Sequence, residues 1–319
     1  MAIRTPTMAF WALVMVTFIW GVGFVVVDDA INIMPVNTFN AFRFGLAALA
    51  LLPLWIFAKK QPQLSNTYRL SSLFKVGSGL GLLLFFGFSF QTQGMLYTSV
   101  SNTGFITGLC VPLVPVTGVI LFRKKVGLEV WMSAVIATVG LYLLTIGDKL
   151  EFNSGDIMVA VAALCYALHI TLMSRLGSNL PVIPLSIVQL GGVAVYSALA
   201  SSGEGLLGMN ADYPPIIAQL SDLGVIAAIL YSGLLASAFA YWAQTSSQRL
   251  LEPHKVALIF ALEPIFAHIS AFLLLDEHLG IKGAIGAGLI IFAMLYSELG
   301  GKRKAKSSDV NEINYSANS

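Results

Sequence analysis

Long apolar stretches separated by short polar ones run the length of the chain. Ten can be marked, near residues 8–27, 36–57, 73–91, 98–122, 128–146, 155–174, 182–201, 223–245, 256–275 and 281–299. Each holds roughly the 20 residues that carry an α-helix across a hydrocarbon core of about 30 Å, at about 1.5 Å rise per residue. The stretches are continuously apolar and do not alternate. Backbone groups in lipid must be satisfied within their own segment, so the pattern predicts helices and excludes a barrel. The first stretch follows Arg4 as a secretory leader would, but its length and the immediate start of another span predict a retained helix.

The second half of the pattern answers the first. A shift of 146 sets Pro35-Val36 on Pro181-Val182, Asn40 on Ser186, Arg43 on Gln189 and Gly45 on Gly191. A shift of 153 sets Gln91-Thr92 on Gln244-Thr245 and Gly127 on Gly280, while Pro112 and Pro264 miss that register by one residue. Apolar matches arise by chance; the polar and proline matches carry the repeat. Five spans per half is an odd number, so the second copy must cross the membrane in the opposite sense.

Composition agrees with the pattern. The 319 residues are 57% hydrophobic and 11% charged, and mean hydropathy is +0.81, which no soluble class matches. Basic residues then set the orientation. With both termini in the cytoplasm, fifteen of the eighteen Lys and Arg residues fall on that side, Lys149 and Lys282 outside it, and Arg43 within a span. This is the positive-inside bias expected for ten crossings. Net charge is only +2, and with no aromatic-basic stripe there is no nucleic-acid role. Cys110 and Cys165, deep in apolar segments, offer neither a disulfide framework nor a metal cluster. Past residue 300 the chain is a basic, polar tail, expected to be disordered.

Three groups of residues are similar to the EamA-type members of the drug/metabolite transporter superfamily. They are Pro35-Val36-Asn37-Thr38-Phe39-Asn40-Ala41-Phe42-Arg43-Phe44 with Ala47-Ala48; Gly155-Asp156 ahead of Ala162-Ala163-Leu164-Cys165-Tyr166-Ala167-Leu168; and Leu262-Glu263-Pro264 leading to Leu275-Asp276-Glu277-His278-Leu279. The resemblance covers nearly the whole chain. It implies an all-α integral membrane protein of ten transmembrane helices in two inverted five-helix repeats, 1–147 and 148–300, around a central cavity, with 301–319 as a cytoplasmic tail. It also implies a bacterial inner membrane and cytoplasmic termini. One departure is Lys124, standing where a carboxylate matching Glu277 is expected.

Polar residues within the spans are the candidate site. A guanidinium in mid-helix costs at least about 2.5 kcal/mol, so Arg43 should face protein, water or a partner; with Asn40 one turn away it either holds a substrate carboxylate or fixes the fold. Glu263 precedes Pro264, whose ring frees a backbone carbonyl and bends the helix. It either carries a coupling proton, binds a cationic group, or supports the helix break. His169 shares a face with Tyr166 and is either a cavity residue or a packing residue. Trp20, Phe85, Phe88, Tyr166, Tyr241 and Trp242 are candidates to line a cavity for organic solutes, amines included, joined by the polar Gln91, Asn102 and Gln189. The glycines of spans three and ten read as close-packing faces, with dimer contacts through spans five and ten one use of them. No histidine set converges on a metal, and Gly77-Ser78-Gly79-Leu80-Gly81 lies in an apolar span without the lysine of a nucleotide loop.

The expectation is a secondary carrier of small organic metabolites, amino acids or amines among them, working by alternating access and open to proton coupling, with no cofactor and as monomer or homodimer. An uncoupled facilitator is the rival reading. An intramembrane enzyme would need a nucleophile with a partner base, and no such motif is present.

Overall fold

The computed structural model describes residues 3–58, 68–98, 100–145, 153–275 and 280–297. Lys59, Lys60, Lys149, the 276–279 motif and the tail 301–319 lie outside the described residues. Within them the regular elements are all helical: α1 (Pro6–Ile31), α2 (Val36–Ala58), α3 (Leu70–Met95), α4 (Val100–Gly108), α5 (Cys110–Phe122), α6 (Leu128–Thr145), α7 (Ser154–Leu172), α8 (Val182–Leu206), the short α9 (Ile216–Gln219), α10 (Leu223–Leu230), α11 (Ala240–Ser247), α12 (Pro253–Phe260) and α13 (Glu263–Leu275), then α14 (Ile281–Ser297). Wide π-type turns extend α7 over Met173–Gly177 and join α10 to α11 over Tyr231–Phe239.

Local chemistry sets several ends. Thr5 caps α1 by accepting from the Met8 N–H, with Pro6 in the first turn. Asn153 and Asp156 form a reciprocal capping box at the start of α7, and the Asp156 carboxylate also accepts from Thr98 Oγ1 at 2.5 Å. That third bond ties the start of α7 to the chain leaving α3.

Seven stretches are long and apolar enough to cross a membrane: Pro6–Ile31, Val36–Phe57, Leu70–Met95, Asn102–Phe122, Ser154–Gly177, Val182–Leu206 and Leu223–Ser247. Two of the remaining sequence stretches form shorter apolar helices, Leu128–Leu144 and Ile281–Ser297. The last is divided between α12 and α13. Pro264 has no N–H to return to the carbonyl four residues earlier, and α12 ends there, at Phe260. A second break falls at Leu109 between α4 and α5, where Pro112 stands four residues after Gly108. Leu13, Val16, Leu141 and Ile290 are fully buried, or nearly so, in the largest core cluster, whereas Trp11, Phe57, Ile120 and Leu199 are exposed. An apolar exterior of this kind suits lipid.

Helix α2 packs along α8, and α3 packs on both α7 and α8. Thr38 Oγ1 lies 2.7 Å from Ser201 Oγ, Gly45 faces Ala194, and Ala48 faces Gly191. Partners descend along α8 as positions ascend along α2, so the two helices run antiparallel. Close approach depends on glycine. A Cβ on Gly81 would stand 2.7 Å from the Gln189 carbonyl oxygen. Gly140 of α6 and Gly286 of α14 meet backbone to backbone, so the glycine of span ten is used inside one chain.

Candidate functional site

The helices leave a cavity between α1, α2, α3, α7, α11 and the α12–α13 break. Eight of the thirteen sequence candidates line it: Trp20, Arg43, Phe88, Gln91, Tyr166, His169, Tyr241 and Glu263. Arg43 is 5% exposed, and its Cζ lies 4.5 Å from the ring centroids of both Phe44 and Phe88. Such contacts stabilise an exposed cation by about 0.5–1 kcal/mol and a desolvated one by about 2 kcal/mol or more. Its Nε and Nη2 donate to no described group. The residue is thus seated on aromatic faces with donors to spare.

Several other lining groups are paired with one another or with the backbone. Tyr166 donates to Gln91 Oε1 at 2.9 Å, and Gln91 Nε2 donates to Thr107 Oγ1 at 2.8 Å. His169 Nε2 lies 2.8 Å from Gln189 Oε1, an oxygen that accepts from the ring N–H. Trp20 Nε1 donates to the Ala236 carbonyl at 2.8 Å, within the wide-turned segment. Rings join across the space: Phe88 to Tyr166 at 5.4 Å, Phe88 to Tyr241 at 6.2 Å, Tyr241 to Trp20 at 6.1 Å and Trp20 to Phe260 at 5.0 Å between centroids.

Five candidates stand outside this lining. Asn40 is fully buried one turn before Arg43, its amide atoms without a hydrogen bond. Gln189 stands behind His169. Phe85 packs on Phe86 and Tyr196, and Trp242 on Phe239. Asn102 donates to Thr98 Oγ1 at 3.3 Å. Conversely, Thr107, Ser237, Gln244 and Phe260 line the cavity without having been singled out. Gln244 was legible, as the repeat mate of Gln91.

A second cavity lies at the ends of α5, α6, α7 and α12, lined by Lys124, Lys125, Glu129, Arg175, Glu252, His254 and Lys255 among others. His254 Nδ1 is 3.2 Å from Glu252 Oε2. Burial pushes the imidazole below its usual value, a trend the Glu252 carboxylate opposes and Lys255 and Lys124 reinforce. Thr117 and Thr171 share a 2.8 Å hydrogen bond, and Thr117 Oγ1 also lies 2.9 Å from the Val114 carbonyl oxygen. Thr171 borders the charged cavity, and its neighbours Ile170 and His169 border the central one. Among the described residues no three His, Cys, Asp or Glu side chains are grouped to hold a metal.

Comparison with known proteins matches residues 7–146 and 153–297 to the EamA-like transporter family. An uncharacterized transporter of Archaeoglobus fulgidus is 29% identical over 287 residues, covering 90% of this chain and 84% of that protein. The uncharacterized transporter YcxC of Bacillus subtilis is 22% identical, covering 95% and 96%. A solved crystal structure superimposes with a TM-score of 0.72 at 14% identity, over 93% of this chain and 98% of that one, a likeness of fold.

Proposed function

The chain belongs to the EamA-like transporter family, and from that premise we propose that it is a secondary carrier of small organic metabolites, amino acids or amines among them, binding in the central cavity and working by alternating access. The observation that carries this reading is a reciprocal packing pattern around the cavity. Gly45 faces Ala194 and Gly191 faces Ala48, four positions related by one offset of 146, in antiparallel helices. Gly140 and Gly286, at the same offset, face each other. Gly81 approaches the Gln189 carbonyl as Gly233 approaches that of Arg43. The breaks after Gly108 and Phe260 stand 152 apart, as do Pro112 and Pro264.

Pairs that exchange in this way are what a two-fold axis between oppositely inserted halves produces. They support ten crossings in repeats 1–147 and 148–300. The basic residues favour cytoplasmic termini in a bacterial inner membrane, with the charged second cavity on that face. The hydrogen-bonded Thr117–Thr171 pair then belongs to the inner gate. Glu263, at the helix break, is the residue proposed to couple protons to export.

Counterflow of labelled amino acids, amines and organic acids into proteoliposomes, with and without an imposed pH gradient, tests the reading. Gradient-driven accumulation that Glu263→Gln abolishes supports proton coupling. Exchange indifferent to the gradient makes the protein an uncoupled facilitator, and undiminished coupling in the variant removes Glu263 from the mechanism.

A further inference from the structure

The central cavity carries two ionisable side chains of opposite sign that do not neutralise each other. Arg43 leaves two guanidinium nitrogens without an acceptor while 95% buried. Glu263 makes no hydrogen bond or ion pair to a described side chain, and it too faces the cavity. A buried charge without a partner is costly, and a ligand of complementary charge removes that cost on binding. A run of contacting aromatic rings links the two. Arg43 lies on Phe88, Phe88 neighbours Tyr241, Tyr241 neighbours Trp20, and Trp20 packs on Phe260, three residues before Glu263 across the helix break.

Neither pole has a counterpart in the other half. At the repeat offsets Arg43 corresponds to Gln189 and Glu263 to Val111, so the charges break the two-fold pattern that the glycines keep. A solute reading both poles therefore binds in one orientation. The guanidinium fork takes a carboxylate through two parallel donors, the Glu263 carboxylate takes an ammonium group, and the rings that link them take an apolar body.

Resting on the carrier reading above, we propose that the cavity selects bipolar solutes whose anionic and cationic groups sit at opposite ends of an apolar body, the anion at Arg43 and the cation at Glu263. Solutes with both charges on neighbouring carbons reach one pole at a time.

The test uses the full chain in proteoliposomes and four one-ring probes: 4-(aminomethyl)benzoate, its single-charge analogues 4-methylbenzoate and 4-methylbenzylamine, and phenylalanine, whose charges share one end. The expected result is uptake of 4-(aminomethyl)benzoate about tenfold or more above the other three, the factor that loss of one charge-assisted contact to a buried partner brings. Arg43→Gln should erase its advantage over 4-methylbenzylamine, and Glu263→Gln its advantage over 4-methylbenzoate. The probe comparison in the unaltered protein stands even if either variant fails to fold. Equal transport of a single-charge analogue or of phenylalanine overturns the proposal and leaves the carrier reading intact. So does failure of 4-(aminomethyl)benzoate while other metabolites exchange. Absence of exchange for every metabolite overturns both.

Discussion

Replacing Gly81 by Ala probes the close crossing of α3 and α8 on which the cavity depends. The added methyl would stand 2.7 Å from the Gln189 carbonyl oxygen and 3.3 Å from its Cα. These are backbone atoms, so no rotamer change relieves the contact, and the helices must part by roughly 0.7 Å to restore van der Waals distance. Overpacking of this kind costs about 1–3 kcal/mol. Gly79, two residues earlier on the same helix, supplies the control, because a Cβ there meets nothing within 4 Å. Gly79→Ala should be neutral or gain up to about 1 kcal/mol from helix propensity. Thermal melting of the two purified variants in one detergent is the assay. Gly81→Ala should melt several degrees lower, at about 2–4 °C per kcal/mol, while Gly79→Ala holds or rises. Equal melting temperatures would refute the packing of α3 on α8 described here.

Two further outcomes follow from single positions. Arg123, after α5, is the one described non-glycine residue at positive φ, 50°; a left-handed L-residue costs about 1–2 kcal/mol, so Arg123→Gly should raise the melting temperature slightly. The His254 imidazole binds its proton less readily in the folded chain than in the unfolded one. The unfolded state therefore binds more protons as pH falls through about 6.5, and stability drops with it. His254→Gln removes that slope, and melting at pH 7.5 and 5.5 should show the unaltered protein losing ground relative to the variant in acid.

How much of this was legible beforehand depended on whether a feature was local. Apolar runs mark helices because one segment satisfies its own backbone, and Pro264 announces the α12–α13 break because a missing N–H acts four residues away. Pro112 carries the same information for the break at Leu109, yet inside a continuous apolar run it passed unread. Contacts between distant segments were harder. Phe85 and Phe88 are one turn apart on α3, yet one meets Tyr196 and the other Arg43. Tyr241 and Trp242 are neighbours, and the wide turn preceding α11 sets which of them faces the cavity. The pairing of His169 with Gln189 joins α7 to α8 and has no sequence signature. Even so, the register that matched Arg43 to Gln189 recurs in the crossing of Gly81 and Gly233 over the carbonyls of those two residues.

Cys110 offers the most direct test of a cavity that opens alternately to the two faces of the membrane. It is 5% exposed and lines the central cavity, and Cys165 is the one other thiol in the chain. In a Cys165→Ala background, a small membrane-impermeant methanethiosulfonate reagent is added to sealed vesicles, first from one face and then from the other. Alternating access requires Cys110 to react from both faces, at rates that a transported solute lowers. Reaction from a single face in a protein that still exchanges solute would contradict it.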